Sequence, residues 1–257
     1  SGSSLQSPED PDATARTKAG KTHIGSVANV TETYDDKGNS LITAADIKPN
    51  TYSDSDFMKD TIASKEDPGS EEQIITDGAY YSSENAEAAA DKGILIVPTS
   101  LTGSETNPLC SEFELAADGE SIENCPNGCK PMSQNYNEKT GQINAKFSHE
   151  DCSKCPHRDQ CPGKKQKKSV KVCISSQMVN RADLQKTLGD EEHKQLARER
   201  NAVEAIPSIF RRKYRLNNLR TLVTQRVRSR FFAICIAYNG QKHQKFLNGH
   251  GVNCAFA

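Results

Sequence analysis

Five of the nine cysteines in this 257-residue chain fall within one short stretch, and no other feature limits its folding options as much. Cys125 and Cys129 are separated by three residues, Cys152 and Cys155 by two, and Cys161 follows. Between the pairs, Tyr136-Asn137-Glu138-Lys139-Thr140-Gly141-Gln142 reads as a hairpin turn. Two close thiol pairs flanking a hairpin describe a ribbon closed around a tetrahedral Zn²⁺ ion. Gly128 and Pro156 supply the turn chemistry of the two knuckles. His149, His157 and Cys161 compete for a remaining place at the metal or surround it. The plain alternative is a set of free thiols packing as small hydrophobes. An odd, clustered set argues for metal ligation in a reducing compartment over a disulfide framework. Cys110, Cys173, Cys235 and Cys254 read as ordinary residues.

The net charge of -1 conceals a strong asymmetry. Residues 1–163 hold 13 Lys/Arg against 28 Asp/Glu, a balance of -15. Residues 164–257 hold 20 against 6, a balance of +14, and no acid follows Arg211. A half of that kind attracts a polyanion, of which nucleic acid is the commonest, unless the two halves neutralise each other. Hydrophobic content is 34% with no Trp, a thin core for this length. No run approaches the roughly 20 apolar residues that cross a bilayer, which excludes a membrane partner of that kind. No signal peptide is visible and the first residue is Ser1, so the chain reads as a piece or a trimmed product.

Local signals predict mixed α/β structure. Residues 23–34 alternate weakly as a strand, Asp35-Asp36-Lys37-Gly38-Asn39 turns, and Ser40-Leu41-Ile42-Thr43 returns. Ser53 or Asp54 caps a helix carrying Phe57, Met58 and Ile62. Residues 73–76 make a short strand that ends at Asp77. A helix follows from Ser82 to about Asp91, stopped by Gly93, and Ile94–Val97 is a second apolar strand in the same sheet. Residues 101–165 form the cysteine-rich insertion, and Lys164-Lys165-Gln166-Lys167-Lys168 a basic loop. Helical segments begin near Asp183, and Asp190-Glu191-Glu192 opens a helix that Pro207 kinks or restarts. Ile206, Ile209 and Phe210 mark its buried stripe, and Val227, Phe231, Ile234 and Ala237 that of another helix. The expected layout is 1–100 and 166–240 as parts of one domain, 101–165 inserted, and 241–257 as a tail.

The helix motif Arg200 to Tyr214 places one acid, Glu204, among arginines and lysines. Upstream, Ile74-Ile75-Thr76-Asp77-Gly78-Ala79-Tyr80 ends an apolar strand in a carboxylate followed at once by glycine. A strand-end acid and an acid on a basic helix suit divalent-metal phosphodiester chemistry. The plainer reading pairs Glu204 with Arg200 one turn back.

These segments resemble a known family. Ser7-Pro8-Glu9-Asp10-Pro11-Asp12-Ala13-Thr14-Ala15-Arg16-Thr17-Lys18 is similar to the segment after the first catalytic strand of bacterial insertion-sequence transposases of the DDE type. Thr76–Tyr80 resembles their second-aspartate motif, Arg200–Tyr214 their glutamate motif, and the cysteine stretch an insertion found in one subgroup. The resemblance spans roughly residues 5–235. It implies a ribonuclease-H-like mixed sheet with flanking helices and three acids holding two Mg²⁺ (or Mn²⁺) ions, for cleaving and joining DNA strands. Asp77 and Glu204 take two of the three roles, and Arg200, Arg211, Arg212 and Lys213 hold the DNA of transposon ends and target. It further implies a bacterial, nucleoid-associated protein, homodimeric at full length.

The sequence departs from that pattern at the first aspartate. Asp10 and Asp12 follow no strand, and Asp54 and Asp56 lie near a helix start, so none is a good substitute. The ending Gly249-His250-Gly251-Val252-Asn253-Cys254 is also unlike the family. The expectation is a catalytic-domain piece inactive by itself. The competing readings are a non-catalytic nucleic-acid-binding zinc module and a decayed transposase serving as an interaction scaffold.

Overall fold

A computed structural model describes residues 4–18, 20–35, 37–66, 72–218 and 223–249. Contacts divide the chain into two compact units, one of residues 1–97 with 197–257 and one of residues 98–196. The first is therefore built from both ends of the chain.

In the first unit, β1 (Thr14–Lys18), β2 (Lys21–Tyr34) and β3 (Ser40–Pro49) form an antiparallel sheet in that order. The Asp35 carboxylate closes the turn between β2 and β3, accepting from the Lys37 and Asn39 backbone N–H groups at 2.9 and 2.7 Å. A capping box at Ser53 starts α1 (Asp54–Ser64): the Ser53 hydroxyl accepts from the Asp56 N–H, and Asp56 reaches back to the Ser53 N–H. After β4 (Glu72–Thr76), Ser82 caps α2 (Ser83–Ala90) through the Asn85 N–H. Gly93, at φ 69°, then reverses the chain into β5 (Ile94–Pro98). The expected pairing of Ile74–Thr76 with Ile94–Val97 is present, since β4 and β5 are neighbours.

These strands do not join into the one mixed sheet that a ribonuclease-H-like reading anticipates. Among the described residues, β1–β3 and β4–β5 are separate sheets, each serving its own apolar cluster. Met58, Ile62, Ala89, Ile94 and Ile96 gather between α1, α2 and the β4–β5 pair. Ile42 and Ile47 of β3 instead meet the two long helices α5 (Glu191–Arg212) and α6 (Thr224–Leu247) through Ile206, Phe210, Phe231, Ile234, Cys235 and Tyr238. Pro207 lies inside α5 without ending it. Two sequence expectations shift here. The buried stripe of α6 runs through Tyr238, while Ala237 is exposed, and residues 241–247, expected in a tail, continue that helix. The unusual ending from His250 onward lies outside the described residues.

Remote groups serve α6. The Asp10 and Asp12 carboxylates accept from the Val223 and Thr224 N–H groups at 3.3 and 3.2 Å, so acids over 200 residues away occupy its N-terminal positive end. The Asn239 side chain imitates a neighbouring strand, accepting from the Ile42 N–H at 2.9 Å and donating to its carbonyl at 2.8 Å. Lys242 forms an ion pair with Glu32 and donates to the Ser40 hydroxyl at 2.7 Å, while the Ser40 and Tyr34 hydroxyls each donate to Glu32 at 2.9 Å.

The second unit centres on a four-stranded sheet. Its order is β10 (Lys164–Lys165), β11 (Ser169–Ile174), β9 (Gln142–Ser148) and β8 (Ser133–Asn137). The expected hairpin at 136–142 is the β8–β9 turn. The expected basic loop at Lys164–Lys168 is partly strand, because Lys164 and Lys165 pair with Lys171 and Val170. A small pair, β6 (Glu114–Leu115) and β7 (Ile122–Asn124), and α3 (His149–Ser153) complete the cysteine-bearing part. The following helix α4 (Ser176–Thr187) begins earlier than Asp183, capped by the Ser175 hydroxyl on the Met178 N–H. The core is Phe113, Ile122, Ile143, Phe147, Val172 and Ile174, with Ala182 of α4 and Cys110 beside them.

Candidate active site

β4 ends at Thr76, whose side chain is buried, so the chain leaves the sheet at Asp77. The Tyr80 N–H donates to the Asp77 carbonyl at 3.0 Å, closing a turn that turns the strand toward α2. On α5, Ile206 and Phe210 face the core completely, which fixes the rotation of the helix. Arg200 and Glu204, one turn apart, then fall on one flank. The Arg200 guanidinium donates to Glu204 at 2.8 Å and lies 3.5 Å from Asp77. The plain Arg200–Glu204 pair is thus present, and it is one half of a bridge. Arg200 is the less exposed partner at 21%, against 46% for Asp77 and 57% for Glu204.

Tyr80 completes this neighbourhood. Its hydroxyl donates to the Asn29 side chain of β2 at 2.9 Å. Burial above all, then the negative charges of Asp54 and Asp77, push its pKa up to about 12, with Arg200 pulling the other way. Asp54, set aside on sequence grounds, therefore acts on the same phenol as Asp77. Its position at the start of a capped helix hid it, since such acids ordinarily serve the helix dipole.

The other cations expected at the site lie at the exposed end of α5 and just past it. Arg211, Arg212 and Lys213 are all exposed and make no ion pair among the described residues. Arg211 donates to the Pro207 carbonyl at 3.0 Å and Lys213 to the Gln241 side chain at 2.7 Å.

The cysteines gather in the second unit. Cys125, Cys152, Cys155 and Cys161 line one cavity of about 30 Å³, with His157, Arg158, Phe147 and Val172. Cys125 and Cys129 sit on a knuckle held by the Cys125 N–H to Cys129 carbonyl bond at 2.9 Å, with Gly128 at φ 73°. Cys129 and His149 do not line the cavity. Burial, followed by repulsion from Cys161, Cys125 and Cys155, pushes the Cys152 thiol up to about 11. Gly163 is needed beside it: a Cβ there would stand 2.6 Å from Val170 and 3.2 Å from the Cys161 sulfur, to which the Gly163 N–H donates. All eight described cysteines are free thiols. Among the described residues, no three His, Cys, Asp or Glu side chains converge as closely as a bound metal requires.

Residues 124–243 match the family model described as Transposase DDE domain. This stretch is similar to a DDE transposase domain. The match covers a little under half of the chain, takes in Arg200, Glu204, Arg211–Lys213 and the five clustered cysteines, and leaves Asp77 outside. No curated protein and no solved structure matches the chain. A DDE transposase domain points to DNA as the partner and to transposition-related strand cleavage and transfer. No helix among the described residues is long and apolar enough to cross a membrane.

Proposed function

We propose that the chain is the part of a DNA strand-cleaving and strand-joining enzyme that supplies Asp77 and Glu204 as two of the three acids holding its divalent metal ions. The observation that carries this reading is the shared guanidinium: two acids 127 positions apart meet at one cation. Carboxylate oxygens suit Mg²⁺ or Mn²⁺, and both side chains are open enough to exchange one cation for another. When bound, the ions supply activation of the attacking hydroxyl and stabilisation of the leaving oxygen. The chain's own contribution is to hold two carboxylates in register, one on a strand end and one on a rigid helix. Arg200, released from the acids, would take a DNA phosphate, and Arg211, Arg212 and Lys213 would extend that contact along the helix. The family pattern calls for a third acid before the second-aspartate strand.

Mn²⁺ titration of this chain tests the proposal. Saturable binding is expected, weakened at least tenfold by Asp77→Asn with Glu204→Gln. In a longer version carrying the third acid, either change should abolish strand cleavage and leave DNA binding intact. Cleavage that survives both changes would sink the assignment.

A second reading concerns the cysteines, where a specific crowding favours Zn²⁺. Four thiols line one small cavity, and burial there together with its three neighbours opposes ionisation of Cys152, which a cation would relieve. Cys125, Cys152, Cys155 and Cys161 would hold the ion, closing up from their present spacing, with Cys129 left outside. Metal analysis of the purified protein should find about one zinc per chain. A metal-free protein with the same resistance to heat would remove this reading.

A further inference from the structure

The pairing of β1 with β2 creates a surface that the overall charge balance conceals. Thr14–Lys18 pair with Lys21–Gly25, while β3 pairs with β2 only from Ser26 onward. Thr14–Lys18 and Lys21–Gly25 are therefore a two-stranded ribbon extending past the three-stranded sheet. Its register sets Arg16 opposite His23 and Lys18 opposite Lys21. Directly opposed residues share a face, and residues two apart on a strand share it too. Arg16, Lys18, Lys21 and His23 thus occupy one face of the ribbon. The other face carries Ala15, Thr17, Thr22 and Ile24, with the Thr17 and Thr22 hydroxyls 3.3 Å apart.

Among the described residues of the first unit, no carboxylate pairs with that face. From Ala13 to Thr31 the chain contains no acid. Among the described residues, Arg16, Lys18 and Lys21 form no ion pair. Lys18, Lys21 and His23 are exposed and Arg16 is half-buried. Like charges set directly opposite each other weaken a ladder, and an isolated two-stranded ribbon is marginal to begin with. The base is nevertheless anchored. The Asn50 N–H donates to the Thr14 hydroxyl at 2.6 Å, and its side chain donates to the His23 carbonyl at 2.8 Å. A single lysine would suffice to block edge pairing. A whole cationic face, held out on an anchored base, is suited to a polyanion.

We propose that this ribbon is a duplex-DNA contact, with Arg16, Lys18, Lys21 and His23 meeting phosphates from one face. The B-form major groove admits a two-stranded ribbon, whereas that of A-form RNA is too narrow and deep for side chains to read. A membrane-docking ribbon would need an apolar face, and here Ile24 is the only large apolar residue on it. The same strand leads to the candidate active site, because Asn29 of β2 accepts from Tyr80 three residues beyond Asp77. His23 and Asn29 are six residues apart, roughly 20 Å of strand and about six base pairs of duplex. Gly25, at φ 144°, is the joint between ribbon and sheet. The inference rests on DNA being the substrate and not on the metal-binding role of the acids.

The test measures duplex binding in EDTA, where no cleavage intervenes, for the chain and for Arg16→Thr/Lys18→Thr/Lys21→Thr. Threonine keeps strand propensity, and removing the opposed lysines should leave the melting temperature unchanged or higher. The triple variant should bind at least tenfold more weakly at low salt, and its log–log salt slope should be shallower by about two to three. Lys18→Arg/Lys21→Arg should bind as the parent does. An unchanged affinity and slope in the triple variant overturn the proposal, as does a parent chain that fails to bind duplex at low salt. A variant that loses phosphatidylserine vesicles but keeps duplex overturns it in favour of a lipid surface. In the longer version carrying the third acid, cleavage defects in Asp77→Asn or Glu204→Gln with duplex binding intact concern the acids alone.

Discussion

Asp77 and Glu204 are counter-ions of one guanidinium, that of Arg200, at 3.5 and 2.8 Å. A cation already bridges the two carboxylates, so metal ions and Arg200 compete for the same oxygens. Arg200→Gln should therefore tighten Mn²⁺ binding while weakening DNA binding. Without metal it should cost under about 1 kcal/mol, since both acids are substantially exposed. Mn²⁺ titration and duplex binding on the same variant check both signs; weaker metal binding would show that Arg200 only orders the acids.

The zinc reading separates two cysteines that lie in the same stretch. Cys161→Ser should lose the metal, while Cys129→Ser should retain it, because only Cys161 lines the cavity. Gly163→Ala should behave like Cys161→Ser, its methyl group pressing on Val170 and the Cys161 sulfur. Zinc content of the three variants decides the matter, and equal loss in Cys129→Ser would restore the spacing-based ligand set.

The Glu32–Lys242 pair fastens α6 to the β2–β3 sheet, with side chains 1% and 11% exposed. Lys242→Met should cost about 3–5 kcal/mol by leaving a buried carboxylate unpaired. Adding Glu32→Leu should recover most of that loss, because a buried pair contributes little beyond its apolar replacement. Urea denaturation of the single and double variants measures the difference.

Burial pushes the Cys235 thiol from 9.0 up to about 11. The unfolded chain then ionises before the folded one, so the contribution is complete below pH 9 and is lost as pH rises toward 11. The expected loss approaches about 2–3 kcal/mol at the top of that range. Cys235→Ala should flatten denaturation midpoints between pH 9 and 11 while lowering them all. An unaltered slope would place the alkaline loss on the buried tyrosines.

Features encoded by neighbouring residues were legible in the sequence. Ser53, Ser82 and Gly93 each mark a helix boundary within a few positions of where the backbone turns. The β4–β5 pairing followed from two apolar runs around one helix. The α6 register slipped by one at Ala237 because a small residue fits either face, and Tyr238 carried the missing signal. The separation of the sheets was hidden, since which helix covers which strand is decided by packing between distant segments. Arg200 illustrates the same limit at the site. Its pairing with Glu204 is a helix rule, but its approach to Asp77 exists only after β4 and α5 have met. The capping of α6 by Asp10 and Asp12 has no local trace.

The discontinuity of the first unit has a consequence in time. Residues 98–196 are contiguous and can fold as soon as they have left the ribosome. Residues 1–97 emerge earlier but cannot close their β3 face, because Phe210, Phe231 and Tyr238 have not yet been made. Until then the nascent chain carries an open sheet with an exposed apolar side and a cationic ribbon at its edge. The interval before α6 is synthesised is thus when the β3 face stands uncovered, and slowing translation past residue 196 would lengthen it.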